Sequence, residues 1–145
     1  MKNVIVTGGA GFIGSHTCVE LFHAGYNPII VDDLRNSEER SIQGIARICG
    51  TTPTVYRIDC ADEPAMARMM EEVGPVHGAI HFAADKAVGE SVQQPLKYYH
   101  NNIGSLVVLM RLLARNGPAR VVFSSSCTVY GQPSTLPVNE SAPDR

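Results

Sequence analysis

Five short β-branched runs alternate with longer segments of helical period, and that alternation leaves this chain few architectures. The runs are Val4-Ile5-Val6, Ile29-Ile30-Val31, Thr54 to Ile58, Ala79-Ile80-His81-Phe82 and Val121-Val122-Phe123. Each is apolar enough to be covered on both faces, as central parallel strands are. Between them, apolar residues recur at i, i+3, i+4 and i+7: Cys18, Leu21 and Phe22; Ile42, Ile45, Ala46 and Cys49; Met66, Met69, Met70 and Val73. The segment from Pro95 to Gly117 carries Leu106, Leu109, Met110 and Leu113 and reads as the fourth crossover. Asp62 and Pro64 open the third helix, Gly25, Gly74 and Gly117 close others, and Ser37 is an expected N-cap. Strand and helix in strict turn predict an α/β fold, a doubly wound parallel sheet with one apolar stripe of each helix pressed on it.

Composition supports one globular unit and removes several classes of function. Of 145 residues, 44% are hydrophobic and 18% charged, which excludes disorder, collagen and coiled coil. Twelve basic and 14 acidic side chains give a net charge of -2 with no Lys/Arg cluster, so nucleic acid is not an expected partner. Cys18, Cys49, Cys60 and Cys127 lie far apart, which suits reduced thiols in the cytoplasm rather than a disulfide framework or zinc site. His16, His23, His77, His81 and His100 show no metal-type pairing, and no metal is expected. No apolar run approaches spanning length, and Met1-Lys2-Asn3 leads into a run too short for a signal peptide, so no membrane is expected either.

The chemistry is concentrated in Thr7-Gly8-Gly9-Ala10-Gly11-Phe12-Ile13-Gly14, directly after the first strand and before the first helix. Gly9, Gly11 and Gly14 satisfy G-x-G-x-x-G, and Gly8, Gly11 and Gly14 the wider G-x-x-G-x-x-G. Glycine permits a tight turn and close backbone approach to a pyrophosphate, while the helix N-terminus presents free N–H groups to the anion. Asp32-Asp33 close the second strand at the distance a dinucleotide fingerprint requires, placing a carboxylate for the adenosine ribose hydroxyls. A 2′-phosphate would face that charge, so NAD is expected over NADP. The fold class is therefore a Rossmann-type sheet of about five strands in the order 3-2-1-4-5.

Two further stretches narrow the reading. Lys86-Ala87-Val88-Gly89-Glu90-Ser91-Val92, continuing through Pro95-Leu96 to Tyr98-Tyr99-His100-Asn101-Asn102, and Phe123-Ser124-Ser125-Ser126-Cys127-Thr128-Val129-Tyr130-Gly131 resemble the UDP-glucose 4-epimerase family of extended short-chain dehydrogenases/reductases. That resemblance implies that Gly8, Gly11, Phe12, Ile13 and Gly14 cradle the pyrophosphate and that Asp32, Asp33, Asn36 and Ser37 hold the adenosine half. It implies that Asp59 and Cys60 border the adenine, that Phe82, Ala83 and Ala84 lie along the cofactor, that Lys86 and Asn101 reach toward its ribose and nicotinamide, and that Ser124 is a further cofactor-binding residue. Lys86 and Ser126 would also meet a UDP-hexose substrate. Cys60 stands where the family carries an aliphatic residue, and Gly104-Ser105 is shifted by one from the usual small pair.

In that family a hydride leaves sugar C4 for NAD and returns to the opposite face, with a Tyr-x-x-x-Lys pair and a serine at the reacting oxygen. Ser126 matches the serine and is the one catalytic candidate. The residues four beyond Tyr26, Tyr56, Tyr98, Tyr99 and Tyr130 are Ile30, Cys60, Asn102, Ile103 and Ser134, so no tyrosine here has its lysine. Gly131 to Arg145, with three prolines and no helical period, reads as extended loop, and the chain is expected to be the cofactor-binding part only, cut before the last strands and the substrate domain. Such a part should carry the fold and some NAD-binding surface without epimerising and, with apolar surface uncovered, should self-associate as a homo-oligomer. A nucleotide-sugar 4,6-dehydratase is disfavoured, because Ser126-Cys127-Thr128 lacks the extra carboxylate that elimination needs; a non-catalytic NAD-binding module is the alternative.

Overall fold

Parallel pairing runs through the whole molecule. A computed structural model describes residues 1–133 and 135–143; Ser134, Asp144 and Arg145 lie outside it, as does the side chain of Cys127. The five strands are β1 (Lys2–Thr7), β2 (Tyr26–Val31), β3 (Thr54–Tyr56), β4 (Val76–His81) and β5 (Arg120–Phe123), in the order β3-β2-β1-β4-β5. The helices are α1 (Phe12–His23), α2 (Glu39–Cys49), α3 (Glu63–Val73), α4 (Val88–Gln93), α5 (Pro95–Tyr98) and α6 (Gly104–Asn116). A π-helical turn, Tyr99–Ile103, joins α5 to α6, and a 3-10 turn, Cys127–Tyr130, follows β5.

The side-chain alternation of a strand divides the core in two. Val4, Val6 and Ile30 join Cys18 of α1 and Ile45 of α2 on one face of the sheet. Ile5, Ile29 and Val31 face the other way, onto Met66, Met69 and Met70 of α3 and Leu109, Leu112 and Leu113 of α6. Asp62 caps α3 by accepting from the Ala65 N–H at 3.0 Å, and Gly50 and Gly74 end α2 and α3 with positive φ, so these boundaries follow from local chemistry.

Several expectations are corrected. Ser37 does not cap α2: Glu38 holds the N-cap position, and the Ser37 hydroxyl donates to Asp32 Oδ1 at 2.7 Å instead. Met110 is 47% exposed and lies off the core stripe. The segment from Pro95 to Gly117 is broken by the π turn rather than continuous. β5 is not covered on both faces, since Val122 and Phe123 stay exposed at the edge of the sheet.

Candidate functional site

One register row crosses the entire sheet: Tyr56, Val31, Thr7, His81 and Phe123 stand side by side on β3, β2, β1, β4 and β5. The next residues along four of those strands are Asp32, Gly8, Phe82 and Ser124, all of them candidates from the sequence. The order of connection reverses at β1 and β4, and the crevice beyond their carboxyl ends is where open parallel sheets bind ligands.

The glycine turn fills that crevice with bare backbone. Gly8 has φ +67°, and a Cβ there would lie 2.9 Å from the Ala83 nitrogen. A Cβ on Gly14 would lie 2.2 Å from the Gly8 carbonyl oxygen. These two glycines are required by the fold itself. Gly11 differs: its φ is -70° and its nearest neighbour to a Cβ is 3.2 Å away, so the protein demands glycine there far less. The lack of a side chain at a helix N-cap suits close approach of a ligand. The first N–H groups of α1, on Phe12, Ile13 and Gly14, have no acceptor inside the helix, and the Phe12 and Ile13 side chains are exposed.

Asp32 braces this turn from below. Its Oδ2 accepts from the Ala10 N–H at 2.9 Å, and its Oδ1 from the Leu34 N–H at 3.0 Å and from Ser37. Three of about four acceptor positions on the carboxylate are thus filled by protein, leaving little for a ribose. Asp33 is the more open acid and shares Arg35 with Asp59: the guanidinium bridges both carboxylates across the ends of β2 and β3. The hydrogen bond to Asp33 is the chief reason that Arg35 holds its proton even more firmly than usual. Sequence reading missed Arg35, although a lone arginine two residues beyond a paired acid was its visible sign.

Behind the crevice lies a buried polar row. The Thr7 hydroxyl lies 2.7 Å from His81 Nδ1 and accepts from the Ala83 N–H at 3.3 Å, and His81 Nε2 is 3.4 Å from Ser105 Oγ of α6. Burial pushes the His81 pKa down to about 4, so the ring is neutral near pH 7. Cys60 is buried in the core, and desolvation pushes its thiol up to about 12; only its backbone can face a ligand.

The remaining candidates lie along the rim. Lys86 is exposed on the loop between β4 and α4, Ala83 is half-buried, and Ala84 is exposed. Asn36 donates to Asp85 Oδ1 at 3.2 Å, and Asn101 donates to Asn102 Oδ1 at 3.2 Å. The Ser124 N–H donates to the His81 carbonyl at 3.1 Å, fixing the chain beyond β5. Ser126 Oγ accepts from the Thr128 N–H at 3.3 Å and from the Thr128 hydroxyl at 2.9 Å, leaving its own proton free to donate. The structure therefore brings the glycine turn, Asp32, Asp33, Asn36, Ser37, Asp59 and the strand-end residues Phe82 to Ala84 to one end of the sheet.

Fold and site together define a doubly wound α/β domain with a glycine turn at its switch point. The chain belongs to the NAD dependent epimerase/dehydratase family, whose sequence profile matches residues 4–145. Among its relatives, the UDP-glucose 4-epimerases of Dictyostelium discoideum and Bacillus subtilis are each 46% identical over 140 residues. The match takes in 97% of this chain but only 40% and 41% of theirs. The crystal structure of UDP-glucose 4-epimerase from Bifidobacterium longum in complex with NAD+ and UDP superposes with a TM-score of 0.90 at 42% identity, covering 99% of this chain and 43% of that one. The Stenotrophomonas maltophila enzyme, with bound NAD and formylated UDP-arabinopyranose, gives 0.88 at 44% identity, covering 100% and 43%.

Proposed function

We propose that these 145 residues are the NAD-binding domain of a UDP-glucose 4-epimerase, the nucleotide-sugar domain lying outside them. The glycine turn carries the reading: a backbone cradle closed to any side chain at Gly8 and Gly14, less tightly so at Gly11, and facing the N-terminus of α1. The residues present fit a dinucleotide. Phe12, Ile13 and Gly14 offer N–H groups to its pyrophosphate, Asp33 and Asn36 polar groups to its adenosine half, and Lys86 and Asn101 donors on the far side of the turn. Three carboxylates, Asp32, Asp33 and Asp59, outnumber the one guanidinium of Arg35, which disfavours a 2′-phosphate.

When bound, NAD supplies the hydride acceptor. Ser126, its proton free, donates to the sugar oxygen that reacts, and Lys86 steadies substrate and cofactor at the rim. A general base for the sugar hydroxyl is not supplied by any Tyr-x-x-x-Lys pair within this chain. The UDP-hexose is the substrate of the whole protein, and a homo-oligomer its working form.

Titration of the purified chain with NAD and NADP by calorimetry tests the cofactor reading. We expect NAD to bind at least about tenfold more tightly, the effect of about 1.4 kcal/mol of charge repulsion. Turnover of UDP-galactose by chain free of host epimerase should be undetectable. Equal affinity for both dinucleotides, or for neither, counts against the cofactor assignment; measurable turnover counts against the absence of a base.

A further inference from the structure

Asp85 lies four residues beyond the end of β4, and the protein holds it there with some care. Asn102 grips its backbone from both sides: the Asp85 N–H donates to Asn102 Oδ1 at 2.8 Å, and Asn102 Nδ2 donates to the Asp85 carbonyl at 2.9 Å. The residue is only 6% exposed. One carboxylate oxygen, Oδ1, accepts from Asn36; the other, Oδ2, is buried without any hydrogen-bond partner. A carboxylate oxygen removed from water and given no donor opposes folding, so its presence calls for a donor that the protein itself does not provide.

The position says where that donor comes from. Asn36 belongs to the loop after β2 and Asp85 to the loop after β4, and in the sheet β1 with its glycine turn stands between those strands. The segment leading to Asp85 presses on the turn, since a Cβ on Gly8 would strike the Ala83 nitrogen. Asp85 thus sits beside the pyrophosphate cradle. A carboxylate repels phosphate oxygens, and among the described residues no three His, Cys, Asp or Glu side chains assemble a metal site around it. The groups a dinucleotide carries that can donate to it near the pyrophosphate are ribose hydroxyls.

We propose that Asp85 is a cofactor-binding residue whose Oδ2 accepts a ribose hydroxyl of the bound dinucleotide, an inference that rests on the NAD-binding reading above. The ligand completes the hydrogen bonding of a group that the free chain leaves short.

Calorimetric titration of wild type, Asp85→Asn and Asp85→Leu with ADP, ADP-ribose and NAD tests it, with the thermal midpoint of each ligand-free chain measured alongside. Asp85→Leu should weaken NAD and ADP-ribose about tenfold or more, the usual weight of a hydrogen bond to a charged group, and Asp85→Asn several-fold. Neither should lower the midpoint of the free chain, because each lightens an unpaired buried charge. A loss shared by ADP assigns the adenosine ribose; a loss confined to ADP-ribose and NAD assigns the second ribose. A loss with NAD alone points to the nicotinamide amide and overturns the ribose assignment, as does undiminished binding by Asp85→Asn and Asp85→Leu. A wild-type chain that binds none of the three removes the cofactor reading itself, and this proposal with it.

Discussion

Gly11 and Gly14 lie three residues apart in one motif, yet the structure gives them different reasons to be glycine. At Gly14 a methyl group would meet the Gly8 carbonyl oxygen at 2.2 Å, a backbone atom that cannot swing aside. Gly14→Ala should therefore unfold at lower temperature, by about 1–3 kcal/mol of overpacking, whatever the ligand. At Gly11 the same methyl group has 3.2 Å and an ordinary φ. Gly11→Ala should keep its melting temperature within a few degrees and lose about tenfold or more in NAD affinity, read by calorimetry and thermal unfolding on the same samples. A Gly11→Ala chain that melts early but binds NAD normally would give Gly11 a packing role only. The sequence places both positions in one glycine turn, but only coordinates separate a glycine whose Cβ would strike backbone at 2.2 Å from one whose Cβ would meet it at 3.2 Å. Arg35 and Asp85 were hidden for a related reason. Arg35 has a local partner in Asp33, but Asp59 stands 24 residues from Arg35 and Asn36 49 residues from Asp85, and no local spacing announces those contacts between loops after different strands.

Strands and helices were legible because each is written in its own period, and errors fell where tertiary context overrides that period. β4 begins at Val76, before the apolar run, since parallel pairing with β1 recruits Val76 and Gly78, the register shifting across His77. β3 ends at Tyr56, short of Ile58. Ser37, a good cap by composition, is drawn off by the Asp32 carboxylate. The row Thr7–His81–Ser105 adds a link between β1, β4 and α6 that no periodicity reveals, and it has a pH signature. The His81 pKa is lowered from 6.5 to about 4 by burial, so below pH 6.5 the unfolded chain takes up a proton that the folded one refuses. Stability from this group is complete above pH 6.5 and declines as pH falls toward 4, by about 3 kcal/mol in all. Urea midpoints of wild type should drop between pH 7 and pH 4.5 more steeply than those of His81→Gln, which has no proton to gain. Parallel profiles for the two proteins would show that His81 does not titrate in this way.

At the scale of the molecule, seven of the 16 large apolar residues exposed among the described residues fall on one segment, Val88 to Met110. Val88, Val92, Leu96, Tyr99, Ile103, Val107 and Met110 are all exposed along the segment that runs from α4 through α5 and the π turn to α6. The residue that failed as a core methionine, Met110, finds its place at the end of this segment. Apolar surface that is contiguous marks an interaction site as a rule, and we expect a second copy of the same chain to meet this segment about a two-fold axis. The competing route is the free edge of β5, where Val122 and Phe123 are exposed and another strand could add. Light scattering across concentration should therefore show a dimer. Leu96→Glu with Ile103→Glu should return it to monomer without loss of far-ultraviolet helix signal, while Val122→Thr with Phe123→Thr should leave it dimeric. The opposite pattern would assign association to the strand edge, and a monomeric wild type at every concentration would mean that the segment meets something other than its own copy. The helical segment is favoured because side chains buried by its pairing leave no backbone group unpaired, whereas strand addition at β5 has only four residues to work with.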